Sequence, residues 1–237
     1  MAVAEDIAER EDQDRMILDA VDQFLERHVR PVAHDLEAKD EYPHEIVERM
    51  KELGLFGATI GETYGGLGLS ASTYTKIVER VSAVWMSVSG IFNSHLIMAQ
   101  AVERAGTEEQ KRHWLPKFAT GELRGGIALT EPDAGTDLQA VRTRATKDGN
   151  GYRVTGTKTW ISNSVEGTVL AVLTKTDPAA EPRHKGMSLF LIEKGDGVRV
   201  SRKLEKLGYK GIDSGELVFE DCFVPADNLI GGVEGRG

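Results

Sequence analysis

Three segments bring hydroxyls, carboxylates, backbone amides and an aromatic plane together at spacings that suit ligand binding. The first is Ile127-Ala-Leu-Thr-Glu-Pro-Asp-Ala-Gly-Thr-Asp-Leu138, which leaves a strand-like run and turns at Pro132 and Gly135. Backbone amides in a tight turn form an anion-binding concavity, and a glycine lets a ligand approach the chain. Thr130 and Thr136 can each donate a hydroxyl hydrogen. The plainer reading is an Asx or Ser/Thr turn whose side chains serve only loop geometry. The second segment is Gly156-Thr-Lys-Thr-Trp-Ile-Ser-Asn-Ser164. Trp160 there offers an aromatic plane beside small hydroxyl residues, which suits the edge of a planar heteroaromatic group. On composition alone, Trp160 reads instead as a core-filling side chain. The third, Lys203 to Pro225, is a glycine-punctuated loop entering a strand, and by itself indicates no chemistry.

Other catalytic patterns are missing. Histidines 28, 34, 44, 95, 113 and 184 show no metal-ligand spacing, so no metal is expected. His95, on an apolar helical face, is expected to be a hydrogen-bonded core residue. A G-x-S-x-G elbow, a P-loop and a GxGxxG turn are all absent, which disfavours hydrolases and Rossmann-type dinucleotide enzymes. The single cysteine, Cys222, excludes an internal disulfide framework and is expected to be a buried, inert thiol.

The elements that must position these segments change character near Gly121. Before it, apolar residues recur at helical spacing: Ile17, Val21, Phe24 and Leu25, then Ile46, Val47 and Met50, then a long run from Tyr74 to Val102. Pro31 should break or kink the first helix, and Pro43 opens the second, closed by Gly54. Thr107-Glu-Glu-Gln110 fits a capping box. After Gly121 come about seven short β-like runs, with Asp148-Gly-Asn-Gly151 as a hairpin turn. The expected fold class is α+β: an all-helical domain over 1–121, then a small antiparallel β-barrel or sandwich over 122–237.

The chain has 237 residues, 40% of them hydrophobic and 28% charged, the balance of a soluble globular protein. A net charge of −9 argues against general nucleic-acid binding. No run approaches the roughly 20 apolar residues that span a bilayer, and the acidic start lacks an apolar targeting core. A cytoplasmic location with no membrane span is the expectation.

Read in order, Glu41-Tyr-Pro43, Tyr64-Gly-Gly-Leu-Gly68, Leu129 to Asp137, Gly156 to Asn163 and Lys206 to Pro225 resemble the acyl-CoA dehydrogenase family of flavoproteins. The resemblance implies a helical domain followed by a β domain along which FAD lies, and an acyl-CoA thioester as substrate. It places Ile127, Leu129 and Thr130 at the flavin ring, and Thr136 at the diphosphate and the acyl-CoA thioester arm. Trp160, Ile161 and Ser162 would border the isoalloxazine, with Ser162 at its N5 edge. Departures from the family pattern stand at Ile127, Asp133 and Ser162; Asp133 sets a like charge near a phosphate. No carboxylate here matches the family's catalytic base, so no catalytic residue is assigned. The resemblance further implies a chain truncated or split from a C-terminal helical bundle, which would complete the FAD site and mediate homo- or hetero-oligomers. The electron acceptor implied is an electron-transferring flavoprotein or similar protein. Two alternatives keep this scaffold: a non-catalytic partner subunit that binds acyl-CoA or FAD, and a related acyl-CoA oxidase or flavin monooxygenase.

Overall fold

The computed structural model describes residues 2–237, and side chains from residue 12 onward. Five helices come first: α1 (Ala2–Phe24), α2 (Arg30–Lys39), α3 (His44–Glu52), α4 (Ala71–Ala105) and α5 (Glu108–Ala119). Pro31 does not end the first helical run. A π-helical turn over Leu25–Val29 widens the coil just before the proline, whose ring and missing N–H could not fit a regular turn. Pro43 caps α3, and Gly54 follows it in the left-handed conformation at φ 69°. Thr107 and Gln110 form the reciprocal capping box at the start of α5.

By length and composition, α4 could cross a bilayer, although no such run is expected from the sequence. In this fold it is the central helix of the core, with Ile77, Val81, Val88, Ile91, Phe92 and Val102 buried. It is not one continuous helix. Trp85 adopts an extended conformation (φ −157°, ψ 104°) and divides it.

Seven strands follow: β1 (Gly125–Ala128), β2 (Arg144–Asp148), β3 (Gly151–Ser162), β4 (Val169–Lys175), β5 (Met187–Glu193), β6 (Val198–Lys203) and β7 (Ser214–Pro225). The sheet order is β1-β4-β2-β3-β7-β6, with β5 also paired to β4, and it curls into a half-barrel. The expected helical domain followed by a small, mostly antiparallel β-barrel is what the structure has, with two parallel contacts that the sequence does not indicate. β1 runs parallel to β4, and β2 joins β4 in parallel through Arg144 and Lys175. The two share one side of β4, because β5 occupies the whole of the other. β4 explains why: every one of its residues is buried. Val169 and Ala171 belong to the core built by the helices, while Leu170 and Val172 face the second core, with Tyr152, Phe190 and Phe219. Strand period 2 thus welds sheet to helices through one strand.

Candidate functional site

β1 is short because its backbone is pressed between neighbours. A Cβ on Gly125 would lie 1.6 Å from the Val169 carbonyl oxygen, and one on Gly126 would lie 2.7 Å from that of Ser162. Only glycine permits both approaches. Asn163, at φ 58°, donates through Nδ2 to the Ile91 and Gly125 carbonyls at 2.9 and 2.7 Å, tying α4, β1 and the end of β3 together. His95 completes this seam. Its Nε2 lies 3.1 Å from the Phe118 carbonyl, and its Nδ1 accepts from the Gly125 N–H at 3.4 Å. Those partners assign the neutral tautomer with the proton on Nε2, and burial pushes the imidazole pKa down to about 4. His95 is the hydrogen-bonded core histidine expected from its helical face.

From Leu129 the chain enters a loop that ends at Thr143, anchored by a buried ion pair. Lys158 Nζ donates to Glu131 Oε1 at 2.8 Å and to the Leu129 carbonyl at 2.9 Å. Glu131 Oε2 accepts the Arg142 N–H at 2.6 Å, and Oε1 also takes the Thr143 N–H at 3.0 Å. The two side chains are 0% and 6% exposed. Burial pushes the Glu131 carboxyl up, yet the bonds from Lys158, Thr143 and Arg142 outweigh it and hold the group below its ordinary range. Burial lowers Lys158, with Glu131 opposing.

β3 meets this loop through the Thr159 N–H, which donates to the Thr130 carbonyl at 2.9 Å. Between Lys158 and Ile161 the pairing of β3 with β7 slips, and Trp160 sits in that irregularity at φ 59°. The irregularity turns the indole outward, 59% exposed, between buried Thr159 and Ile161. A core role for Trp160 is therefore overturned.

The remaining expected site residues divide into two groups. Leu129, Thr130, Trp160 and Ser162 gather where the start of the loop meets the end of β3. Among the described residues, the Thr130 and Ser162 hydroxyls make no hydrogen bond within the protein. Ile127 is half-buried on β1 opposite Ala171, and packs on the helical core. Ile161 is 2% exposed within the sheet core, so only its backbone can face a ligand. Thr136 is exposed farther along the loop, and no hydrogen bond ties its side chain to the Trp160 group. Asp133 does not stand alone: Arg142 Nη1 reaches it at 2.9 Å across an exposed contact. A Cβ on Gly135 would meet nothing within 4 Å, so the loop is open there. Cys222 is buried, and burial pushes its thiol pKa up. Among the described residues, no cluster of His, Cys, Asp or Glu is placed to hold a metal.

From the sequence alone, Glu131 stands only as a carboxylate that does not match the family's base, and its pairing with Lys158 does not emerge. One signal was present. In the β3 run, positions 154, 156 and 158 share a face by strand period, so Lys158 falls on the same side as the core residue Val154. A lysine there needs a buried partner.

Trp160 thus presents an exposed aromatic plane near the end of β3, and the chain as a whole is similar to known proteins. Residues 11–122 match the acyl-CoA dehydrogenase N-terminal domain, and residues 126–222 match the middle domain. The chain is 39% identical to (2S)-methylsuccinyl-CoA dehydrogenase of Cereibacter sphaeroides, over 94% of its own length and 42% of that protein. It is 38% identical to mitochondrial isovaleryl-CoA dehydrogenase of Pongo abelii, over 93% of its length and 53% of that protein. The crystal structure of an acyl-CoA dehydrogenase from Geobacillus kaustophilus superposes with a TM-score of 0.89 at 41% identity, covering 95% of this chain and 59% of that one. The chain thus spans about half the length of the curated relatives it matches. It belongs to the acyl-CoA dehydrogenase family.

Proposed function

We propose that this chain forms the flavin- and acyl-CoA-facing part of an FAD-dependent oxidoreductase that introduces an α,β double bond into an acyl-CoA thioester. The observation that carries the reading is the presentation of Trp160: a large indole turned out of a strand, beside the unpartnered hydroxyls of Thr130 and Ser162. Bound FAD supplies the acceptor for the hydride leaving the β carbon. The chain's own residues orient and enclose. Trp160 would flank the ring, Thr130 and Ser162 would offer their hydroxyls to its polar edge, and Leu129, Ile127 and the Ile161 backbone would border it. Thr136, on the open loop, would face the diphosphate and the thioester arm, with its one hydroxyl hydrogen available to either. No residue of the chain is assigned as the base that takes the α proton. Functionally the division falls between 1–121 and 122–237, with an electron-transferring flavoprotein or a similar protein as the acceptor and an oligomer as the working form.

The test is a flavin titration of the protein that carries this chain. FAD should quench the emission of Trp160, and Trp160→Phe should remove that part of the signal. Acyl-CoA added anaerobically to the loaded protein should bleach the flavin. Quenching that is the same in Trp160→Phe, with no bleaching by any acyl-CoA, would sink this reading.

A further inference from the structure

The loop that carries Thr130 and Thr136 packs Ala134 and Val141 against Leu173 of β4 and Met187 of β5, and two side chains supply its buried charged ties to the rest of the protein. Glu131 closes the loop on itself, because one carboxylate accepts the amides of Arg142 and Thr143, eleven and twelve residues away. Lys158 then fastens this closed loop to β3 through Glu131 and the Leu129 carbonyl. Lys158 is also the last residue of β3 to keep its pairing with β7 before the slip that turns Trp160 outward. One ammonium group therefore fixes the loop's entry and the root of the exposed indole together.

A buried ion pair is a poor way to gain stability, since an apolar pair of equal volume does as well or better, whereas a charge pair specifies which groups must meet. We propose that Lys158 and Glu131 are positioning residues, whose buried pair locks the 129–143 loop to β3 and holds Thr130, Trp160 and Thr136 in one fixed arrangement before any ligand arrives. The proposal rests on the flavin reading for the identity of that ligand. Both side chains are buried, at 0% and 6% exposed, so their role is to position rather than to contact the ligand.

The test uses the double variant Glu131→Gln/Lys158→Met, which keeps side-chain volume and one of the two acceptors that the Arg142 and Thr143 amides use, but removes the charge pair and the tie to Leu129. It is made in the protein that carries this chain, and three quantities are read. The Thr159 amide, which bonds Thr130 beside the indole, should exchange about tenfold faster as the local opening becomes easier. Acrylamide quenching of Trp160 should change, while Trp85 and Trp114 stay buried and silent. The FAD Kd should rise about tenfold or more, the scale on which a loosened site loses its geometry. Val154→Ala, in the sheet core, serves as a control: it lowers the melting temperature and should leave the FAD Kd in place. If the double variant does not fold, Glu131→Gln alone reads the same quantities in the same directions.

Parent-like Thr159 exchange, quenching and FAD Kd in the variant would overturn the positioning role. A parent protein that binds no FAD would defeat the flavin reading instead. Thr159 exchange and Trp160 quenching would then still decide whether the pair fixes the loop.

Discussion

Trp85 Nε1 donates to Glu37 Oε2 at 2.9 Å, and this contact sits at the break in α4. The same oxygen accepts the Ser87 hydroxyl at 3.0 Å and the backbone N–H groups of Lys210 and Gly211 at 3.0 and 3.2 Å. Gly211 is glycine for a reason of space: a Cβ there would come within 2.3 Å of the Trp85 ring. The carboxylate of an α2 residue thus stabilises a non-helical residue inside α4, and ties both to the loop between β6 and β7. Helical and β regions are joined by a polar knot as well as by the core shared through β4.

Glu37→Ala should therefore cost about 2–3 kcal/mol, because it strands several donors in a half-buried site, and Glu37→Gln about 1 kcal/mol. Burial pushes the Glu37 carboxyl up, but its four donors, Lys210, Trp85, Gly211 and Ser87, more than reverse this and leave it below its ordinary value of 4.5. A carboxylate depressed in the folded state contributes stability that is fully present above that value and lost as the pH falls below it. Urea melts of the parent and Glu37→Gln should differ at pH 7 and converge in acid. A gap that persists at low pH would remove the carboxylate charge from the account.

His95 gives the opposite chemistry the same sign. It is fully buried and neutral, with a pKa of about 4 against an ordinary 6.5. Below pH 6.5 the unfolded chain binds a proton that the folded chain refuses, so stability falls with pH until the folded value is reached. Across that interval the loss is about 3 kcal/mol. His95→Gln keeps a donor and an acceptor but does not titrate. It should be about 1–2 kcal/mol less stable than the parent at pH 7, with a flatter pH dependence between 6.5 and 4. Equal slopes for the two proteins would refute the assignment.

What could be read from the sequence was local. Thr107 and Gln110 are three residues apart, and their capping box needs nothing beyond the helix they start. The same Gln110 side chain also accepts the Gly231 N–H and donates to the carbonyls of Asp227 and Leu229, more than a hundred positions away, which no spacing rule reveals. Glu131 and Lys158 are twenty-seven residues apart, and Glu37 and Trp85 forty-eight, so both pairs depend on how the elements dock. The seven strand runs were visible, because alternation and turn residues mark them. The parallel pairing of β1 with β4 was not, because the two strands are more than forty residues apart and their pairing depends on how the elements dock. Trp160 differs from its compositional reading for a third reason: a large aromatic in a strand run reads as core-filling, and a pairing slip of this kind leaves no signature in the residues around it.

Trp160 lends itself to a substitution that separates folding from binding. A non-glycine residue at φ 59° pays a conformational penalty, and the exposed ring repays little of it in packing. Trp160→Gly should change the stability of the ligand-free protein by no more than about 1 kcal/mol, because relief of the left-handed conformation offsets the glycine's extra unfolded-state entropy, while FAD affinity falls. Trp160→Phe keeps an aromatic plane and should retain most of the affinity. Differential scanning calorimetry without ligand and a flavin titration together read both effects. A glycine variant that melts well below the parent would show that the indole supports the fold.

Thr136 now admits a sharper test than its sequence context allowed. Two roles were open: a hydroxyl that meets the ligand, or a residue that shapes its own loop. Among the described residues the Thr136 side chain makes no hydrogen bond, and it is exposed, whereas Asp137 beside it caps the Gln139 amide at 3.1 Å and Glu131 closes the loop ends. Loop geometry is thus supplied by its neighbours. Thr136→Val should shift the stability of the ligand-free protein by no more than about 0.5 kcal/mol, as for an exposed position with no partner. In the ligand complex the hydroxyl is expected to have a partner on the diphosphate or the thioester arm, and Val would leave that group unpaired. The loss should be about 1–3 kcal/mol in the affinity for FAD or acyl-CoA. Thr136→Ser keeps the hydroxyl and should bind like the parent. Isothermal titration of both ligands into both variants, beside melting curves without ligand, reads every term. Parent-like affinity for both ligands in Thr136→Val would take this residue out of the site, and the open loop around Gly135 would then lose its strongest claim to face the diphosphate.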